Sequence, residues 1–251
     1  MSDPTITILL ILFAVAFCAG AIDAIAGGGG LITVPALLLA GVSPIQAIAT
    51  NKFQGLFGTG TAAFTFLRKG HLNIRREWPV AALCFVLSFL GAYVASYVSS
   101  DVLEIALPVV LISIAIYFAF QPKLDDKSKR PLLPIALISF AALPLVGFYD
   151  GLFGPGAGSF YMLVLVALGG HGVLNATAKT KLFNFASNLG GFVSFLFLGV
   201  ISWKIGAVMA CGQILGARVG ANLAITKGNT IIKPMLVTIC VALALKLLFW
   251  S

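Results

Sequence analysis

Two lysines stand inside long apolar stretches of this sequence, and side chains able to donate hydrogen bonds flank each of them. The lysines are Lys52 and Lys181. The flanking donors are Asn51, Gln54, Thr180 and Asn184. Ammonium groups supply positive charge, while amides and hydroxyls supply neutral hydrogen-bond donors. This set of residues predicts that the two lysines together bind an anion that carries several oxygen atoms.

Three further charged residues, Asp23, Asp150 and Lys179, also lie in or beside apolar segments. A charge near the centre of a bilayer costs about 2.5–3.5 kcal/mol even on lenient insertion scales, so such residues usually mark a polar pathway. The two aspartates are candidates for carrying a proton against the anion. The alternative is a structural role, in which Asp23 pairs with Lys52 and Asp150 pairs with Lys181 to tie helices together.

Glycine-rich segments follow both aspartates, at Gly27–Gly30 and at Gly154–Gly158. A break in a helix at these glycines would expose backbone N–H groups at the start of a short helix, where the positive end of the dipole attracts anions. Such bare backbone is tolerated at membrane depth only where it is packed in protein or lines a cavity. The alternative is that the small residues only allow close helix packing. The residues predicted to contact the anion in these segments are Gly29, Gly30, Gly156, Gly158 and Ser159.

These features occur twice because the chain nearly repeats itself. Asp23 matches Asp150 and Lys52 matches Lys181, with two more residues between them in the second copy. The repeat divides the chain into a first unit at 1–120, a linker at 121–131 and a second unit at 132–251. A duplicated membrane unit with polar, glycine-broken segments in matching places is typical of secondary transporters, whose site lies between the repeats.

Composition places the chain in a membrane, because 60% of its residues are hydrophobic and 10% are charged, against about 25% charged in soluble domains. Six apolar runs are near the roughly 20 residues that a helix needs to cross a bilayer. They lie at about 5–26, 78–98, 102–120, 132–149, 203–222 and 230–250. Two longer stretches, 31–67 and 157–198, are interrupted by polar residues and glycines. The sequence predicts an all-α polytopic membrane protein with 8–10 membrane segments.

The charged loops of the two copies differ in a consistent way. Arg68, Lys69, Arg75 and Arg76 crowd one loop of the first copy, whereas the matching loop of the second copy has only Lys204. Every other loop comparison flips similarly, and the positive-inside rule then places the halves upside down to one another. Inversion needs an odd number of crossings per half, and short crossings at 27–43 and 154–170 would give five. Both termini would then face out and the linker would face the cytoplasm. The alternative is four crossings per half with parallel repeats.

Four polar residues give weaker signals. Gln213 and Arg218 share one apolar run, and Arg218 is expected to snorkel to the membrane interface. His71 and His171 are expected in loops.

Several classes of function are excluded or disfavoured. The net charge of +8 resides in short membrane loops and does not indicate nucleic-acid binding. The four cysteines lack metal-ligand spacing, and neither an ATP-binding motif nor a cofactor motif is present. A rhomboid-like protease would need a pair such as Ser159 with His171. Phe160 follows that serine where rhomboids have a small residue, so the chain is not expected to be an enzyme.

Four segments resemble the TauE/SafE family, also called the sulfite exporter or TSUP family, and within it the YfcA-like branch. They are Asp23–Pro35 (DAIAGGGGLITVP), Ala49–Gly55 (ATNKFQG), Gly147–Ser159 (GFYDGLFGPGAGS) and Ala178–Asn184 (AKTKLFN). The resemblance implies a multi-pass transporter of the bacterial inner membrane for small anions that contain sulfur, such as sulfite or sulfoacetate. Its partners would be the anion and the lipid bilayer, with a homodimer left open. An anion channel and a non-transporting assembly protein are the alternatives.

Overall fold

The computed structural model describes residues 4–99 and 130–227, together with a few positions between 101 and 109. Most of the predicted apolar run at 102–120, the whole run at 230–250 and most of the linker therefore lie outside the described residues. The long described ranges form eight helices. They are α1 (Ile6–Ala26), α2 (Gly30–Leu39), α3 (Pro44–Arg68), α4 (Ile74–Ala95), α5 (Ile135–Leu152), α6 (Ala157–Leu168), α7 (Val173–Leu198) and α8 (Trp203–Lys227).

Five of these helices are long and apolar enough to cross a membrane, namely α1, α4, α5, α7 and α8. Helix α1 has 21 residues and is about 31 Å long, which matches a hydrocarbon core of about 30 Å. Helix α3 has 25 residues and is longer, at about 37 Å, but it is more polar because Asn51, Lys52 and Gln54 lie in it. The prediction of an all-α polytopic membrane protein is confirmed.

The two interrupted stretches each divide into a short helix and a long one, α2 with α3 and α6 with α7. Helix α2 has 10 residues and spans about 15 Å, half of a bilayer core. Both short helices follow glycines whose backbone lies in the left-handed region, with φ of 84° at Gly27, 87° at Gly28, 93° at Gly154 and 80° at Gly156. Side chains other than glycine rarely adopt this conformation, so the glycines produce the breaks between α1 and α2 and between α5 and α6.

The helices pack with a two-fold pattern. Helix α1 packs against α8, and its counterpart α5 packs against α4. Helix α4 packs against α7, and α8 against α3, while the equivalent helices α3 and α7 pack against each other. All of these contacts join a helix of one half to a helix of the other half.

The equivalent helices α3 and α7 run in opposite directions. Along their contact, Lys52 lies against Gly191, Gly55 against Asn188 and Gly60 against Phe185. Residue numbers rise on one helix as they fall on the other. This order is what inverted repeats require, and inversion relative to the bilayer stays a prediction.

Glycines inside the long helices serve close packing. A Cβ on Gly216 would overlap the carbonyl oxygen of Phe17, and a Cβ on Gly151 would overlap that of Ser88. The backbones of α1 and α8, and of α4 and α5, therefore touch, as small residues allow in membrane helices. Close helix packing is thus the role of Gly216 and Gly151, whereas other glycines form the helix breaks.

If the halves are inverted, a reporter that is active only in the cytoplasm should be active when inserted in residues 123–130 and silent when fused after Trp250. A reporter inserted at Gly70, in the basic α3–α4 loop, is the control for the cytoplasmic side. Activity at all three positions would contradict inversion and favour parallel repeats with four crossings each.

Candidate functional site

The buried lysines and aspartates form two ion pairs that cross between the halves. Lys52 Nζ on α3 lies 2.5 Å from Asp150 Oδ1 on α5. Lys181 Nζ on α7 donates to the carbonyl oxygen of Asp23 on α1 and lies 3.4 Å from its Oδ2. The alternative drawn from the sequence, in which each aspartate pairs with the lysine of its own copy, is wrong in its partners. Helices α1 and α5 pack against helices of the opposite half, and this packing determines the partners.

Each carboxylate has a second hydrogen-bond partner. Ser187 Oγ donates to Asp150 Oδ2 at 2.5 Å, and the backbone N–H of Gly29 donates to Asp23 Oδ1 at 3.0 Å. Both lysines are 0% exposed, and Asp150 is 2% and Asp23 8% exposed. A buried ion pair offsets its desolvation only when the remaining lone pairs are satisfied, and these extra donors meet that requirement.

The two glycine breaks meet between the halves. A Cβ on Gly27 would lie 2.6 Å from the backbone of Gly158 and of Ser159, so these segments are in direct contact. Among the described residues, the N–H groups of Gly30, Gly158 and Ser159 have no hydrogen-bond acceptor. Two helix starts with free N–H groups therefore come together at the same place.

The side chain of Asn51 is oriented by two hydrogen bonds. Its Oδ1 accepts from Thr33 Oγ1 at 2.7 Å and from Gln54 Nε2 at 2.8 Å. Its Nδ2 lies beside Gly30 and Gly154 and has no acceptor in the described part of the chain. The amide of Asn51 thus presents its N–H groups next to the helix breaks.

Asn184 supplies a similar amide from the other half. Its Oδ1 accepts from Asn188 Nδ2 at 3.3 Å, and its Nδ2 lies beside Gly158. Gln54 adds an acceptor, because its Oε1 is buried without a hydrogen-bond partner in the described residues.

A cavity of about 30 Å³ lies between these groups. Its lining includes nine of the predicted residues: Asp23, Asp150, Asn51, Gln54, Asn184, Gly29, Gly30, Gly156 and Gly158. Four others, Lys52, Lys181, Thr180 and Ser159, are not part of its wall. The two aspartates are therefore part of the wall, whereas the lysines that bond to them do not line the cavity.

Sequence reasoning missed several polar residues of the cavity and of its support. They are Thr59 and Asn188 in the lining, and Thr33 and Ser187 behind it. Asn51, Gly55 and Thr59 follow one another at four-residue spacing, which places them on one helix face. Asn184 and Asn188 have the same spacing on α7. This four-residue spacing of polar residues, rather than hydropathy, is the sequence signal for Thr59 and Asn188. Gln213 also lines the cavity, although its signal in the sequence was weak.

Lys179 lies apart from the cavity, near the start of α7. Its Nζ lies 2.9 Å from Glu77 Oε1 and 3.5 Å from His171 Nε2. Burial lowers the pKa of His171 below its ordinary value, and the charge of Lys179 lowers it further, which favours the neutral ring that accepts from the ammonium. His171 lies in the α6–α7 turn, as expected. At the matching place in the other half, Thr50 Oγ1 accepts from the Ser202 N–H at 3.1 Å.

The crossed pairing predicts which residues are energetically coupled. Lys52→Gln and Asp150→Asn should each lower the free energy of unfolding by about 3–5 kcal/mol, because each leaves a buried charge unpaired. The double variant should lose less than the sum of the two single losses. Unfolding of the purified protein in detergent measures this coupling. Lys52→Gln combined with Asp23→Asn is the matched control, and stronger coupling in that pair would contradict the crossed arrangement.

Comparison with known proteins agrees with the resemblance inferred from the motifs. The family model for the sulfite exporter TauE/SafE matches residues 12–247. A probable membrane transporter protein, ORF9, of Sinorhizobium sp is 49% identical over 99% of this chain and 95% of its own length. A probable membrane transporter protein of Haemophilus influenzae is 43% identical, with 98% and 97% covered. The probable membrane transporter protein YfcA of Escherichia coli K12 is 46% identical, with 97% and 91% covered.

No solved structure matches the chain. The family and the names of these relatives indicate a multi-pass membrane transporter rather than an enzyme. The chain belongs to the sulfite exporter TauE/SafE family.

Proposed function

We propose that this transporter moves small sulfur-containing oxyanions, such as sulfite or an organosulfonate, by alternating access at the cavity between its two halves. The observation that carries the proposal is the meeting of two helix starts, with free N–H groups at Gly30, Gly158 and Ser159, beside two buried Lys–Asp pairs. Helix starts of this kind bind anions, and in transporters built from broken helices they point at the anionic group of the substrate.

The polar groups of the cavity suit an oxyanion. The amide N–H groups of Asn51 and Asn184 add neutral donors to those of the backbone. The unpartnered Gln54 Oε1 is an acceptor, and the hydroxyl of a singly protonated oxyanion such as hydrogen sulfite would satisfy it. The size of the cavity also supports a small substrate, because about 30 Å³ corresponds to about two water molecules.

The lysines take part by changing partners. In the described state their ammonium groups bond to aspartates that form the cavity wall. An anion in the cavity competes with each carboxylate for its lysine, and protonation of the aspartate releases the lysine to the anion. Because each pair joins the two halves, the exchange of partners loosens the contact between them. This couples anion and proton binding to the movement that alternating access requires.

Uptake by purified protein in liposomes tests the substrate. Sulfite, thiosulfate, sulfonates and carboxylates are offered in parallel, and saturable transport of a sulfur oxyanion is the expected result. Asn184→Ala should weaken it, whereas Asn175→Ala, an exposed asparagine on the same helix, should not. Transport of carboxylates alone, or equal effects of the two variants, would contradict the proposal.

The lysines should contribute to anion affinity. Lys52→Gln or Lys181→Gln should each weaken binding about ten- to a hundredfold, because each removes one charge-assisted hydrogen bond, and the double change should abolish it. Apparent affinity is measured by flux in liposomes, with Lys204→Gln, at the exposed start of α8, as the control. Unaltered affinity in both single variants would leave the lysines as ties between the halves.

The aspartates should couple transport to protons. Asp23→Asn and Asp150→Asn are each expected to abolish the response of uptake to an imposed pH gradient, because the amide cannot bind the proton. Exchange of labelled for unlabelled anion should persist, which separates coupling from binding. If both variants follow the gradient as the unchanged protein does, the aspartates are structural.

A further inference from the structure

A groove of about 610 Å³ lies on the outer surface between the end of α3 and the middle of α8, away from the central cavity. Its wall combines positive and apolar side chains. The positive ones are Arg68, Lys69 and Arg218, and the apolar ones are Phe64 and Ile214. All five are exposed. The groove therefore joins a cluster of cations to a surface that apolar chains can cover.

The cations of this groove have no carboxylate partner in the described residues. The ion pairs of the described residues are Lys52–Asp150, Lys179–Glu77 and Lys181–Asp23. None of them includes a cation of the groove. The sequence 228–251, which lies outside the described residues, contains no Asp or Glu. Within the described part of the chain, three positive charges thus lie together without a carboxylate partner.

Arg218 lies more than two helical turns before the end of α8 at Lys227. Its neighbours Leu215 and Val219 are 51% and 53% exposed, so this face of the helix is apolar and turned outward. A guanidinium in such surroundings is costly unless it reaches the interface or an anion. The end of α3 lies directly beside it, and the guanidinium of Arg68 there lies 5.5 Å from the centre of the Phe64 ring.

The repeat provides an internal comparison. The repeat matches Arg68 and Lys69 of the first half to Phe197 and Leu198 of the second, and Arg218 of the second half to Tyr93 of the first. The duplicated fold therefore does not require cations here, and the equivalent surface on α7 and α4 is without them. The charge cluster is a feature of one side of the molecule, which the loop charges predict to be the cytoplasmic side.

We propose that this groove binds the phosphate headgroup of an anionic phospholipid, with the acyl chains along the apolar surface of α3 and α8. Guanidinium groups bind phosphate with paired hydrogen bonds, and basic pockets between membrane helices on the cytoplasmic side bind lipid headgroups. The lipid phosphate supplies the anion that Arg68, Lys69 and Arg218 lack. Since α3 belongs to the first half and α8 to the second, the bound lipid bridges the two halves.

Native mass spectrometry of the full-length protein in detergent tests this proposal. The protein is titrated with phosphatidylglycerol, phosphatidylcholine or inorganic phosphate. Phosphatidylglycerol should be retained at least about tenfold better than phosphatidylcholine, and Arg218→Gln and Arg68→Gln should each weaken it about tenfold, as expected for one charge-assisted contact. Arg75→Gln, an exposed cation outside the groove, is the matched control and should leave retention unchanged.

Equal retention by both groove variants and the unchanged protein, or an equal loss in Arg75→Gln, would overturn the proposal. Equal competition by inorganic phosphate would assign the groove to free phosphate. A Thr65→Cys variant, made in a chain whose four native cysteines are changed to serine, distinguishes another occupant. Its thiol should react with a maleimide in lipid-free detergent and be protected by phosphatidylglycerol. Protection without lipid would mean that another segment of this chain covers the groove. Lipid binding is measured without transport, so failure here leaves the proposed substrate untouched.

Discussion

Two buried lysines that must be neutralised in an apolar protein determine how the halves of this transporter fit together. Leaving either charge unpaired would cost several kcal/mol, and each lysine finds its aspartate in the opposite half. Helix α1 must therefore lie among helices of the second half, and α5 among those of the first. The same pairs place both carboxylates at the wall of the central cavity. Joining the halves and forming the cavity thus depend on the same contacts.

The glycine breaks satisfy a second constraint, which is that backbone polar groups at membrane depth need partners or a cavity. The N–H of Gly29 has Asp23 as its acceptor, and the carbonyl oxygen of Pro155 accepts from Tyr149 Oη at 2.6 Å. The N–H groups that remain free lie where Gly27 touches Gly158. The free N–H groups of Gly30, Gly158 and Ser159 therefore lie close together, between two helix starts.

Much of this arrangement could be predicted from the sequence because the repeat is visible in it. The short helices begin at Gly30 and Ala157, inside the two glycine-rich segments at which the breaks were predicted. The partners of Lys52 and Lys181 could not be predicted, because the repeat matches residues without saying which half packs against which. Asn188 was missed because a single polar residue inside a long helix gives little signal. It stands out only through its four-residue spacing from Asn184.

The places where the halves differ carry information that the repeat does not. In a pair of inverted halves with perfect symmetry, the inward-open and outward-open states would have equal free energies, so any preference must come from residues that break the symmetry. Lys179 bonds to Glu77 at one end, whereas a neutral hydrogen bond between Thr50 and Ser202 takes the equivalent place at the other. Separating the ion pair exposes two charges, and separating the hydrogen bond exposes none. Under the proposed alternating access, opening the two ends would therefore depend differently on solvent and on nearby anions, and this difference would bias the direction that the central cavity faces.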